Sequence, residues 1–266
     1  MLKSDSHRRS WGFSSCPVLS LFGEGVLTSD RLACSSGDIS SYHVRLEPAH
    51  TILAQACLGV LLRMDDRVNP KTLGDTPLVE YAARHWVDHA QFKNVSPYIR
   101  VAMEYLFDVE RPHYAAWLRV HDIDEFWLSF TPDSNIPRAE PLYYAALCGF
   151  YDLATHLIAK HPEHVNTIGG QKVTPLAAAL YGNHFEVAEL LYQHGAGIHV
   201  RGDGKRTLLH VASLKGLIDV VRWLLEHGAD ADSRQNDLFT PLHLAAYNGH
   251  LEVARVLLDH FADIHA

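Results

Sequence analysis

The chain has no run of apolar residues close to the roughly 18 that a membrane-crossing helix needs, so no membrane partner is expected. Cysteine is scarce. Cys16, Cys34, Cys57 and Cys148 are the only four, and no two share a C-x-x-C spacing. That pattern gives neither a disulfide framework nor a thiolate metal site. It fits reduced thiols in a reducing compartment, the cytoplasm or the nucleus. Cys57 and Cys148 fall inside apolar helical patterns and read as core filler. Positive charge is short as well. Lys and Arg number 23 against 31 Asp and Glu, a net charge of −8. An acidic chain is a poor phosphate binder, so no nucleic-acid partner is expected.

Catalytic signatures are missing too. There is no G-x-S-x-G, no cysteine with a recognisable local signature, no paired-carboxylate pattern and no G-x-x-x-x-G-K-[ST]. Gly202-Asp-Gly-Lys-Arg-Thr207 resembles a phosphate loop only superficially, because its spacing is wrong. The expectation is a protein that is not an enzyme and carries no cofactor and no metal.

The 266 residues suffice for one large domain or two ordinary ones, and 47% apolar with 20% charged residues is a globular balance. The N-terminal stretch, 1–26, is rich in Ser and places Arg8 and Arg9 before a short apolar run, 16–22. A signal peptide needs a longer apolar region and a small-residue cleavage site. This stretch reads as disordered or as the remnant of something larger.

Residues 43–130 read as a helical segment whose helices all start with Pro in the first turn: Pro48, Pro77, Pro97 and Pro112. Leu53, Ala56, Cys57, Val60 and Leu61 recur at helical spacing, as do Leu78, Tyr81, Ala82, His85 and Trp86. Gly is absent between Asp75 and Asn135, and no alternating strand pattern occurs.

From residue 138 onward the sequence repeats. Thr174-Pro175-Leu176, Thr207-Leu208-Leu209 and Thr240-Pro241-Leu242 recur at one constant interval, and Pro141-Leu142 opens a further copy that is longer by a single position. The copies span about 140–173, 174–206, 207–239 and 240–266. Thr reads as a helix cap, followed by a first residue that needs no N–H partner. Small pairs such as Ala145-Ala146 and Ala245-Ala246 let helices approach. Gly149, Asn183, Gly216 and Gly249 suit a left-handed turn. Leu157-Ile158, Leu191-Tyr192, Leu224-Leu225 and Leu257-Leu258 seal the second helix, which Gly195 or Gly228 ends in two copies. Phe261 stands where Gly is expected, a strained place for a bulky residue.

This period, with Thr240-Pro-Leu-His-Leu-Ala-Ala246 followed by Gly249-His250, resembles the ankyrin repeat over residues 140–266. The resemblance implies an all-α solenoid of about four helix hairpins, preceded by the helical segment. The last copy has no polar capping unit, so a longer natural array, or a fragment, is expected. Three further tracts, 27–33, 42–57 and 80–89, resemble fungal NACHT–ankyrin proteins, which are NLR-like receptors. With that likeness, residues 1–42 are expected to be disordered or the remnant of a winged-helix region. The likeness also implies that the nucleotide-hydrolysing module is not in this chain.

Several candidates remain for chemistry. His85 and His89, at i and i+4, read as a structural pair because Trp86 replaces the Glu of a zinc-protease motif. His210 and His243 hold the place where the family uses His for local hydrogen bonding. The run His121-Asp-Ile-Asp-Glu125 reads as a solvated helix end. The resemblance puts partner binding on the concave face, made of hairpin tips and first helices. Its tip residues are Lys172, Arg201, Lys205, Arg206, Arg234 and Phe239. Its helix-end residues are Tyr181, Lys215, Tyr247 and Asn248. The expected function is a protein-binding scaffold, the sensor part of an NLR-like receptor. Two alternatives stay open: a fragment assisting a NACHT-type NTPase, and a truncated product with no independent role.

Overall fold

The computed structural model describes residues 46–64, 77–121, 123–124, 139–170 and 173–265, all within one compact unit, Arg45–Ala266. The expectations for residues 1–42 and for Lys172 lie outside the described residues. Among those residues are twelve α-helices and no strand. A single bridge pairs Arg201 with Thr207.

The first four helices are α1 (Leu46–Leu61), α2 (Pro77–Ala90), α3 (Ser96–Leu106) and α4 (Pro112–Val120). α1 packs on α2 and α3, and α4 packs on α2 and α3. With no Gly available, the turn between α2 and α3 puts Asn94 in the left-handed region at φ 65°, as Asn tolerates. Helix α3 is capped differently from its sequence pattern: Ser96 is already helical, and Val95 precedes it with no side-chain cap.

Four helix hairpins follow. They are α5 (Pro141–Leu147) with α6 (Tyr151–Lys160), α7 (Pro175–Tyr181) with α8 (Phe185–Gln193), α9 (Leu208–Lys215) with α10 (Ile218–Glu226), and α11 (Pro241–Tyr247) with α12 (Leu251–Asp259). First helices stack on first helices, α5 on α7 and α9 on α11. Second helices stack likewise, α6 on α8 and α10 on α12. A seven-residue helix is only about 10 Å long, too short to be stable alone, so its stability comes from burial. Helix α7 accordingly buries six consecutive residues, Pro175 to Leu180.

The caps explain why each hairpin starts where it does. Thr174 Oγ1 accepts from the Ala177 N–H at 3.2 Å. Thr207 and Thr240 form full capping boxes in which His210 and His243 stand in for the usual Glu. Glu140, at the first copy, makes no side-chain cap. The left-handed turn residues are Gly149 (φ 72°), Asn183 (58°), Gly216 (73°) and Gly249 (72°). At Gly149 a second reason applies: a Cβ would lie 2.3 Å from Nδ1 of His184, which belongs to the next hairpin.

One continuous core joins the segment to the array. Its centre is aromatic. Trp86 meets Trp117 edge-on at 5.3 Å and Phe150 at 5.5 Å, and Trp117 meets Tyr144 at 6.2 Å. Such pairs add to the area they bury. Trp117 Nε1–H donates to the Ala83 carbonyl, the Tyr114 hydroxyl to that of Ala139, and Gln91 to that of Cys148.

Two expectations need correction here. The acidic run is not simply a solvated helix end, because Asp124 is 6% exposed and accepts the Tyr143 hydroxyl at 2.6 Å. A short polar side chain ends up buried because a buried tyrosine needs an acceptor. Cys148 is buried, but it caps the C-terminus of α5 rather than lying inside a helix.

Candidate functional site

The tips between hairpins are built from backbone. Gly202 N–H donates to the Arg206 carbonyl at 2.9 Å, with Gly204 (φ 68°) and Lys205 (φ 59°) turning left-handed between them. The next tip repeats the device: Gln235 N–H donates to the Phe239 carbonyl at 3.2 Å, and Leu238 is left-handed at φ 66°. The two tips are stitched together. The Arg201 guanidinium donates to the Arg234 carbonyl at 3.2 Å, Arg206 Nε–H donates to Gln235 Oε1 at 3.0 Å, and Asn236 N–H donates to the Gly204 carbonyl at 2.9 Å.

His210 completes the seam. Its Nδ1 accepts from the Thr207 backbone and hydroxyl, which leaves Nε2–H to donate to the Phe239 carbonyl at 3.1 Å. Burial holds its pKa below the ordinary histidine range, opposed by that bond to Phe239. A neutral ring is the form that fits this seam. His250 plays a similar part at the helix-end turn, with Nε2 bonded to the Leu214 carbonyl at 3.1 Å.

Nine of the ten candidate residues fall on described parts of this framework. Arg201, Lys205, Arg206 and Arg234 are exposed at the tips, so the stitching fixes Arg201 and Arg206 without hiding their charge. Phe239 is exposed, with His243 edge-on at 5.7 Å. Lys215 lies over the Tyr181 ring at 5.1 Å, which bridges α9 to α7 and leaves Tyr181 half-buried. Tyr247 is 86% exposed at the end of α11. Asn248 is exposed, but its amide is spent on the Leu244 carbonyl at 2.8 Å, so it acts as a helix cap.

Sequence reasoning missed Leu238. It is 65% exposed and adjoins Phe239, which makes the tip before the fourth repeat apolar as well as basic. Two large apolar residues in a stretch otherwise made of turn residues were the available signal. The two-histidine expectation at 85 and 89 resolves into separate contacts: His85 Nδ1 faces Asp88, whereas His89 sits between Tyr81 and His50. Burial and the neighbouring His50 lower the His89 pKa to about 4.

A stack of capped helix hairpins joined by backbone tips defines a solenoid repeat protein. The family model for ankyrin repeats, in three copies, matches residues 142–235 and 199–266, so this part of the chain is an array of ankyrin repeats. No curated protein matches the chain. Ankyrin repeats serve as protein–protein interaction modules. Among the described residues no helix is long and apolar enough to cross a membrane.

Proposed function

We propose that this chain is a recognition module that grips a second protein along the flank formed by the tips and first helices of its second to fourth repeats. It has no catalytic role of its own. One observation carries the reading. Arg201 and Arg206 are pinned from below by Arg234 and Gln235, while Leu238 and Phe239 stand exposed at the adjoining tip and Tyr247 at the end of α11. Arginine and aromatic side chains held in place lose little entropy on binding, and they dominate interface energies. The array's histidines support a non-catalytic reading, because many already have structural work. His194, His227 and His260 each bond a carbonyl four residues back, His210 ties α9 to the tip at Phe239, and His250 bridges the third and fourth repeats.

On the resemblance of residues 27–33, 42–57 and 80–89, we assign the module to the sensor part of an NLR-like receptor of the NACHT–ankyrin type, working in the cytoplasm or nucleus. Nucleotide hydrolysis would belong to a separate module. The test compares two baits from native lysate, the full chain and its Arg206→Ala, Phe239→Ala, Tyr247→Ala variant. Proteins held by the first and lost by the second, at an unchanged melting temperature, support the flank. Equal capture by both overturns it.

A further inference from the structure

The first repeat departs from the others where its second helix ends. The second helices of repeats two and three end in His194-Gly195 and His227-Gly228, whereas the first runs on through His161-Pro162-Glu163-His164. This extra residue is taken up by a 3-10 turn, Pro162–Asn166. A 3-10 turn eclipses side chains three apart, and here it stacks His161 on His164, with ring centroids 4.9 Å apart and 15° between planes. Glu163 reaches both rings: its Oε1 is 3.3 Å from Nδ1 of His161 and 3.8 Å from Nε2 of His164. All three candidate donor atoms lie within 4.8 Å of one another.

The turn is held firmly. His164 N–H donates to the His161 carbonyl at 3.0 Å, and Val165 is buried beneath. Asn166 clamps the turn to the second repeat, donating to the Gly195 carbonyl and accepting from Gly197 N–H, each at 2.9 Å. Pro162 restricts the backbone further. His161 and His164 also line a cleft against the end of α3, together with Glu104, Asp108 and His156.

Two imidazole nitrogens with one carboxylate suit zinc and its neighbours rather than calcium or magnesium, which prefer all-oxygen shells. Zinc bonds of about 2.0–2.2 Å in a tetrahedron place donor atoms roughly 3.3–3.5 Å apart. The His161–Glu163 pair is already at that separation, and ring rotation closes the rest. We propose that His161, Glu163 and His164 form a binding site for a divalent zinc-type cation, with a fourth position open to water. The cation would lock the turn that joins the first repeat to the second. This inference is independent of the flank assigned above.

The test uses the untagged full chain, with Zn²⁺ as the probe, competed against a chromogenic chelator. The chain holds other His and Cys residues, so the reading is the difference between the parent and a His161→Ala, His164→Ala variant. The expected result is one more zinc per chain bound by the parent, with Glu163→Gln weakening that site by about tenfold or more. It also includes a zinc-dependent rise in melting temperature that the double variant lacks. Equal stoichiometry and affinity in parent and double variant overturn the site. If circular dichroism shows the double variant unfolded, Co²⁺ added to the parent decides. Intense tetrahedral visible bands that Glu163→Gln weakens uphold the site, and a spectrum left unchanged by that substitution overturns it.

Discussion

The four-helix segment ending at Val120 and the repeat array starting at Pro141 bury apolar surface by different routes. The segment relies on a few large side chains that meet across long sequence separations: Trp86, Phe107, Tyr114 and Trp117 pack on one another, and Trp86 and Trp117 also pack on Phe150 and Tyr144 of the first repeat. The array relies on small side chains repeated locally, such as Ala178, Ala179, Ala212 and Ala245, each less than 3% exposed. The segment therefore concentrates its stability in a few residues, whereas the array spreads it over layers.

That contrast can be broken most severely at its centre. Trp117→Ala should destabilise the chain by about 3–5 kcal/mol, read as a fall in the urea midpoint. A comparable truncation in the last layer, Val253→Ala, should cost about half as much. Acid acts next. Burial lowers the pKa values of His50 and His89 in the segment and of His184 and His210 in the array. Because the unfolded rings bind protons first, stability is fully present above about pH 6.5 and falls as pH drops below it, down to about 4 for His89. Replacing His89 with Asn should flatten the melting-temperature profile between those limits.

Smaller effects sharpen the comparison within the array. Thr207→Ala and Thr240→Ala each remove a cap worth about 1 kcal/mol. The loss should be larger at Thr207, where His210 also bonds the Phe239 carbonyl at the following tip, whereas the His243 ring is partnered within its own cap. Smallest is a gain. Phe261 is left-handed at φ 65° and 90% exposed, so Phe261→Gly should stabilise by about 0.5–1 kcal/mol in the same melts.

The array was legible because its physics is periodic. Thr caps, left-handed turn residues and paired apolar positions recur at a fixed interval, and the strained Phe261 could be located because it stands where the repeat places Gly. The segment was legible only as separate helices. Nothing local reports that Trp86 will meet Phe150, or that Tyr143 will draw Asp124 into the core. The candidate flank was half legible. Tip positions follow from the repeat, but the bonds that lock Arg201 and Arg206 reach into the next repeat and depend on how the repeats stack. The half-buried ring of Tyr181 was hidden for the same reason, whereas the spent amide of Asn248 is a local bond four residues back.

The central claim is that the tip-and-first-helix flank, rather than the outer layer of second helices, meets the partner. A photo-crosslinking residue placed at Tyr247, and in a separate chain at Arg222 on α10, tests it in native lysate. Both positions are exposed and neither holds the core. A discrete adduct from position 247 with none from 222 is the predicted result. An adduct from 222 with none from 247 would contradict the account.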